Sequence, residues 1–370
     1  MSKYKVVSVS DEKVMIDFLE LPGRIYEADP NWVAPLESEV RRTLDPHSNP
    51  YFTNATLQLF VCYKNDKPSA RCVVVINSRH WEKFGEKAAF FGFLEAVKDE
   101  ESTGRMFDAV ERYCRGAGAE LIEGPFNPNH YSELGLKIDK FDEAPRFFET
   151  YNREYYGKLL EGSGFYRQRL LHTRINTAIN DFVLQHYGAV SFPKRSGGFS
   201  VRYFNLFNMK AELERIREVY NEAFSDNWHF LPLTREEYSF SAKYLFFITY
   251  PKLVVIVENN GEPVGVLQCV LNINPILQPL RGKMKTVNLP KLLLKRRRIK
   301  EIMIYAVGIK KGYQGSRVYK LLLDSMCAIA LRYSVLSTTW MSDTNVAAIR
   351  VSGHLGLRPY KYYAIYEKKI

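Results

Sequence analysis

Two hairpins of nearly the same design stand far apart in this chain, and that repetition limits its fold more than any other feature. In the first, a strand at about Leu57–Tyr63 meets the turn Asn65-Asp66-Lys67-Pro68, and a second strand runs from Ser69 to Ile76 and ends at Asn77. In the second, Leu253–Val257 meets Asn259-Asn260-Gly261-Glu262-Pro263, and Val264–Leu271 ends at Asn272. Runs of β-branched residues on either side of an Asn/Asp/Gly turn specify an antiparallel hairpin. In both, an Asn lies nine residues beyond the turn proline. The signals that follow also repeat: a strand (Ala89–Val97; Ile302–Ile309), a helix (Thr103–Arg115; Ser316–Tyr333) and another strand (Glu120–Glu123; Val335–Trp340). Each half then closes with a helix running into Gly164-Phe165 or Gly356-Leu357 and a last strand. The hairpins are antiparallel, whereas two strands joined through a helix pair in parallel by a crossover. The expected class is therefore α/β (α+β): two similar domains, each a mixed, mainly antiparallel sheet flanked by helices, from an internal duplication of roughly 170 residues per copy. The expected division is residues 1–180, a linker at 181–200 around Ser191–Gly198, and residues 201–370 with an insertion at 274–300.

Charge singles out that insertion. From Pro263 to Lys300 there is no acid, yet nine cations lie there: Arg281, Lys283, Lys285, Lys291, Lys295, Arg296, Arg297, Arg298 and Lys300. Without them the formal charge falls from +11 to +2, so basicity is local. Three readings stay open: a solvated face, a helix on an anionic membrane surface with Leu289, Leu292, Leu293, Leu294 and Ile299 among the cations, or a grip on an anionic ligand, either a CoA 3′-phosphate or a nucleic acid. No RNA- or DNA-binding motif accompanies the segment, which ranks nucleic acid last. The N-terminus Met-Ser-Lys-Tyr-Lys has no signal-peptide core, and no run approaches the roughly 18 apolar residues of a membrane span. Five cysteines without a C-x-x-C read as reduced core residues, and seven histidines without H-x-x-x-H offer no metal ligand set. These readings predict a cytoplasmic protein, peripheral to the inner membrane face at most, with no metal.

One segment has the pattern of a chemical site. Tyr305–Lys320 reads as strand, glycine-containing loop, then a helix with Val318, Leu321, Leu322, Met326 and Ile329 on one apolar face. Unpaired N–H groups at a helix N-terminus favour an anion such as phosphate, and Lys310, Lys311, Arg317 and Lys320 add positive charge. The plainer alternative is an ordinary strand–helix connection with solvated lysines.

The second half resembles the GNAT acyltransferase superfamily, whose members hold acyl-CoA pyrophosphate on a Q/R-x-x-G-x-G/A loop. Gln314-Gly-Ser-Arg-Val-Tyr319 matches the first position, while Arg317 and Tyr319 stand where the later glycines usually lie. Asn345-Val-Ala-Ala348 and Gly356-Leu357 resemble the segment beside the pantetheine arm, and Ser352 falls where many members carry a Tyr that protonates the leaving thiolate. Asn49-Pro-Tyr-Phe52, Phe90–Phe93, Gly124–Pro128, Tyr151-Asn152, Asn227-Trp228 and Tyr362–Lys368 resemble a branch of tandem-GNAT bacterial proteins over nearly the whole chain. Some members of that wider group are thought to acylate sphingoid bases.

The resemblance implies an acyl-CoA-dependent N-acyltransferase that moves an acetyl or longer acyl group to a small-molecule or lipid amine by direct attack in a ternary complex. It implies acyl-CoA contacts at Val307, Ile309, Gln314, Gly315, Ser316, Arg317, Val318, Tyr319 and Asn345. Ser352, Tyr305 and Asp343 become candidate catalytic groups, Asp343 reading first as a helix N-cap and second as a base. Asn127 and Tyr131, on a polar loop after a strand, and Asn227 and Trp228 are candidate substrate contacts, against a plain loop and a core Trp. The first half has Glu95-Ala-Val-Lys-Asp-Glu-Glu-Ser102 where the cradle would lie, and four acids there repel phosphate. The alternatives are a catalytically silent CoA-binding protein, suggested by Arg317, Tyr319 and Ser352, or a membrane-surface or RNA-associated scaffold led by the basic segment.

Overall fold

A computed structural model describes residues 3–284 and 289–370, with the side chains at 244–247, 289 and 291 left aside. Lys285 and the side chains of Leu289 and Lys291 in the basic segment thus lie outside the described residues. The chain forms two compact units. Unit 1 is Met1–His172, Leu277–Met284 and Lys361–Ile370, and unit 2 is Thr173–Ile276 and Lys285–Tyr360.

In unit 1 the strands lie in the order Tyr4–Ser8, Ala55–Lys64, Lys67–Asn77, Ala88–Ala96, Leu121–Gly124 and the end of the chain's final strand, Arg358–Lys369. The expected hairpin turn is present: Asn65 and Asp66 both adopt positive φ, 48° and 61°, and Lys64 pairs with Lys67. Among the described strand pairs of unit 1 only Ala88–Ala96 and Leu121–Gly124 run parallel, and the helix Glu100–Gly116 connects them. Met106, Phe107, Val110 and Cys114 of that helix are buried against Phe91, Ile122 and Phe165. On the other face Phe18 of the helix Glu12–Ile25 is buried with Val61, Val73 and Val75.

Unit 2 has the corresponding sheet: Phe199–Tyr203, Val254–Asn259, Glu262–Leu271, Glu301–Ile309 and Val335–Thr338, with helices Met209–Ala223, Arg235–Ile248 and Arg317–Ala330. Asn260 and Gly261 make the second hairpin turn, with φ of 49° and 84°. Val335–Thr338 runs parallel to Glu301–Ile309. Val318, Leu321, Leu322, Met326 and Ile329 are buried, as their spacing predicts.

The division differs from the sequence reading in the closing strands, which are exchanged. Tyr366 at the chain's end pairs with Gly124 inside unit 1, while Ile175 and Asn176 pair with Ser337 and Leu336 inside unit 2. The expected linker also differs. Ile179–Tyr187 is a helix of unit 2 with Ile179 and Val183 buried, and Arg195–Ser196 pairs with Ser200 and Phe199. All five cysteines are buried and unbonded. No helix among the described residues is long and apolar enough to cross a membrane.

Candidate functional site

The strand Glu301–Ile309 carries an irregularity that decides where its backbone points. Opposite Glu262–Leu271 the register runs Leu267 to Val307 and Gln268 to Ala306, then Cys269 to Ile304, so Tyr305 is one residue in excess. Such a bulge shifts the phase of every residue beyond it. The Lys310 N–H donates to the Val264 carbonyl at 2.9 Å. Backbone groups of a strand alternate between its two neighbours, so Ala306, Gly308 and Lys310 face the Glu262–Leu271 strand, and Val307 and Ile309 face away from it. On that far side, pairing with Val335–Thr338 stops at Ile304–Thr338; among the described residues the Thr339 N–H to the Ile304 carbonyl (3.1 Å) is the last backbone bond, and the Thr339 hydroxyl reaches the Tyr305 carbonyl at 3.5 Å. Val307 and Ile309 therefore present N–H and carbonyl groups to the gap that opens beyond Thr338. A Cβ on Gly308 would stand 3.1 Å from Ala223 Cβ, so this glycine lets the helix Met209–Ala223 lie close behind the strand.

The strand leads through a short turn, Lys311–Tyr313, to the helix Arg317–Ala330, whose N-cap is Ser316 with its hydroxyl accepting from the Val318 N–H at 3.3 Å. Gly315 has φ of 74°, and a Cβ there would meet no atom within 4 Å, so the surface over this turn is open. Gln314, Gly315 and Arg317 are exposed and Ser316 half-buried on one rim. Val318 differs from the expectation: its side chain is fully buried, because it belongs to the apolar face of the helix. The Arg317 guanidinium donates to Ser196 Oγ at 2.9 Å, and the Tyr319 hydroxyl meets His354 Nδ1. The Lys311 amine pairs with Asp226 at 2.8 Å.

Behind the bulge lies a largely apolar pocket of about 710 Å³, open mouth included. Phe204, Leu213, Ile216, Ala242 and Val254 line it, and its polar groups include Thr249, Tyr238, Tyr250, Gln268, Arg296 and Tyr305. Burial raises the Tyr305 phenol to about 12, so it stays protonated at neutral pH; burial also raises Tyr238, with the nearby Tyr305 adding to it. Gln268 is 5% exposed; its Nε2 donates to Tyr238 Oη at 3.0 Å, and its Oε1 accepts no hydrogen bond. Sequence reading passed over Gln268, although a lone amide within Val264–Leu271 was a visible signal.

The other candidates are placed as follows. Ser352 is 1% exposed and its hydroxyl donates to the Ile349 carbonyl at 2.8 Å, inside its own helix. Asp343 is exposed and does not cap that helix; the cap of Val346–His354 is Asn345, accepting from the Ala348 N–H at 3.0 Å. The Asn345 side chain is thereby committed to structure. Asn227 is exposed, and Trp228 is half-buried with its ring stacked on His229; neither lines the pocket. Asn127 and Tyr131 belong to unit 1.

Unit 1 fills the positions that unit 2 leaves open. Its strand Ala88–Ala96 also has a register shift, between Arg71 and Val73 on the partner strand. The Phe93 N–H there donates to Asn127 Oδ1 at 2.7 Å, so Asn127 plugs the bulge. The following helix is capped by Asp99, which accepts from the Ser102 N–H and pairs with Lys64 at 2.6 Å, with Glu100 and Glu101 in the first turn. A helix N-terminus already holding its own carboxylate is a poor phosphate site. Behind it, Glu95 accepts from Tyr26 (2.8 Å) and Tyr156 (2.7 Å) in a closed polar cluster.

Similarity to known proteins follows this geometry. No family model matches the chain. It is 29% identical over 376 residues to a bacterial ceramide synthase of Caulobacter vibrioides, covering 99% of this chain and 97% of that one. It is 26% identical over 369 residues to protein YghO of Escherichia coli, covering 95% and 92%. Among solved structures, a tandem GNAT protein from the clavulanic acid biosynthesis pathway aligns over 99% of this chain and 98% of its own, with TM-score 0.59 and 10% identity. A GCN5-related N-acetyltransferase from Sphaerobacter thermophilus aligns over 100% and 96%, with TM-score 0.55 and 13% identity.

Proposed function

From the tandem GNAT fold of this chain, we propose that it is an acyl-CoA-dependent N-acyltransferase whose chemistry takes place in unit 2. The observation that carries the proposal is the bulged strand Glu301–Ile309. One extra residue at Tyr305 turns the backbone of Val307 and Ile309 into the gap beyond Thr338, beside an apolar pocket. The pantetheine arm adds to that edge as a strand would, and the pyrophosphate rests over Gln314–Arg317 at the helix N-terminus. The Val307 N–H then polarises the thioester carbonyl.

The amine nitrogen attacks the thioester carbon directly. The new C–N bond forms, the C–S bond breaks, the nitrogen gives one proton to solvent, and the CoA thiolate takes one from solvent, directly or through the Tyr305 or Tyr319 phenol, which solvent then reprotonates. Ser352 takes no part in the step, because its proton is held by the Ile349 carbonyl. Asp343 retains a role only if a substrate reaches its exposed carboxylate. Arg296, whose guanidinium stacks 4.4 Å over the Tyr250 ring at the pocket wall, favours the neutral form of a nearby amine, which is the nucleophilic form. Most of the acceleration comes from orientation and backbone polarisation.

The acceptor class we propose is a long-chain lipid amine, which the apolar pocket and the similarity to a ceramide synthase support. Such a substrate resides in membranes. The basic segment, with Leu293 and Leu294 38% and 62% exposed beside exposed Lys295, Arg297, Arg298 and Lys300, suits reversible contact with an anionic surface. The test is incubation of the full chain with acyl-CoAs from two to eighteen carbons and a long-chain amino alcohol. Free thiol release and the amide product are followed together by a thiol reagent and mass spectrometry. Amide formed only with the amine present supports the proposal. Binding of CoA with no amide from any pair supports the silent binding protein instead, the reading that the Arg317–Ser196 contact favours.

A further inference from the structure

The pocket behind Tyr305 has an unusual polar inventory. Gln268 is buried in its wall, and its amide is held in one orientation because Nε2 donates to Tyr238 Oη at 3.0 Å. That bond aims the other amide atom elsewhere, and Oε1 has no hydrogen-bond partner among the described residues. Tyr250 Oη in the same wall is also buried with no hydrogen-bond partner among them. Buried acceptors without donors are rare in folded proteins, since each carries its full desolvation penalty. Thr249 donates its hydroxyl to the Cys269 carbonyl, the Arg296 guanidinium stacks on the Tyr250 ring, and most of the remaining wall is aliphatic or aromatic, so the ligand that satisfies this site has a long apolar body and a hydrogen-bond donor at the depth of Gln268.

We infer that this pocket is the acceptor subsite, and that Gln268 is the specificity-determining residue that accepts a hydrogen bond from the N–H or O–H of a single-chain aliphatic amine or amino alcohol. An acyl chain is excluded as the matched occupant by its chemistry: beyond the thioester it has no donor, and it would leave Oε1 unpaired. Gln268 pairs with Ala306 beside the bulge, so a head group bound to its side chain lies next to the strand whose edge is assigned to the thioester. The name "acceptor" rests on the acyltransferase reading. The binding chemistry does not.

The experiment is a binding titration on the full chain, without any acyl-CoA, using decylamine, 1-decanol and 1-methoxydecane. The three share one chain; the first two carry a donor and the ether carries none. Losing a hydrogen bond to a buried neutral acceptor is worth roughly tenfold to a hundredfold in affinity. Gln268→Leu is therefore expected to weaken decylamine and decanol at least tenfold and to leave the ether unchanged. Tyr238→Phe, which releases the amide, should give a smaller loss of the same selectivity. Unchanged thermal midpoints and circular dichroism identify folded variants. Ala242→Leu, which narrows the pocket by addition rather than by loss of a polar group, should weaken all three ligands alike. An equal effect of Gln268→Leu on ether and alcohol, or none on either, overturns the inference. If amide synthesis is found with an unchanged KM for the amine in Gln268→Leu, the inference fails while the acyltransferase reading stands. If selective binding is found and no synthesis, the reverse holds.

Discussion

Replacing Lys361 by Met tests the strand exchange at its strongest point. The Lys361 amine sits 2.8 Å from the Glu149 carboxylate, and the two side chains are 0% and 1% exposed. The amine also donates to the Ala144 carbonyl at 2.6 Å. Methionine has nearly the same length and shape but no charge, so it leaves Glu149 buried with the Arg146 N–H (2.8 Å) but without its ion-pair partner, the Lys137 amine being a remaining cation whose charged form Glu149 favours. Removing one member of a buried pair typically costs about 3–5 kcal/mol, because the other charge is stranded. Removing both, in Lys361→Met with Glu149→Leu, is expected to restore most of that loss, since two matched apolar groups carry no desolvation penalty. Two units need not unfold together, so a single global midpoint is the wrong readout. Amide exchange by mass spectrometry reads the effect locally. In Lys361→Met, protection should fall by two to three orders of magnitude in 361–369 and in the paired 121–124, with 301–309 nearly unchanged. A single variant with protection like the wild type, or a double variant no better than the single, would refute the reasoning.

Three further outcomes follow from the same geometry. Burial raises the Glu133 carboxyl to about 7, so its folded form holds a proton that the unfolded form releases near 4.5; the resulting stability is present below about 4.5 and is lost as pH rises towards 7. Glu133→Gln should therefore raise the melting temperature at pH 8 and change it little at pH 5, which scanning calorimetry at the two values checks. Ser352→Ala should lower turnover by less than ~10-fold, below the range for losing a positioned general acid, as steady-state rates will show. Vesicle flotation should find the chain on anionic liposomes at low salt and released at high salt, with Arg297→Glu/Arg298→Glu abolishing attachment, since each cation near such a surface contributes about 1 kcal/mol.

The parts of the fold that were legible in the sequence are those fixed by local chemistry. Asn65-Asp66 and Asn260-Gly261 announce positive φ, and Val318, Leu321, Leu322, Met326 and Ile329 announce a helix face. The Tyr305–Lys320 segment was readable as strand, turn and helix for the same reason. The exchange of closing strands was not readable, because 166–176 and 358–369 have similar strand composition and nothing in either specifies which sheet it joins. The bulge at Tyr305 was equally silent: a one-residue excess is a property of register between two strands, not of either sequence alone. Ser352 stands where the family resemblance places a Tyr, but a serine is poorly matched to protonating a thiolate, and turned inward on its helix it bonds to its own backbone. The acids near Asp99 were legible as hostile to phosphate, and the structure adds that one of them is the helix cap.

The central claim is that one CoA site exists per chain, over the Gln314–Arg317 turn of unit 2. Titration calorimetry of the full chain with CoA tests it most directly, comparing wild type with Gly315→Val in unit 2 and Glu101→Ala in unit 1. Gly315 holds φ of 74°, which a β-branched residue adopts only under strain, and its open face is where the proposed pyrophosphate contact lies. Glu101 is exposed and paired only with its helix neighbour Arg105 among the contacts described. The account predicts one site per chain, weakened at least tenfold by Gly315→Val and unmoved by Glu101→Ala. Two sites per chain, or a single site indifferent to Gly315→Val, would contradict it.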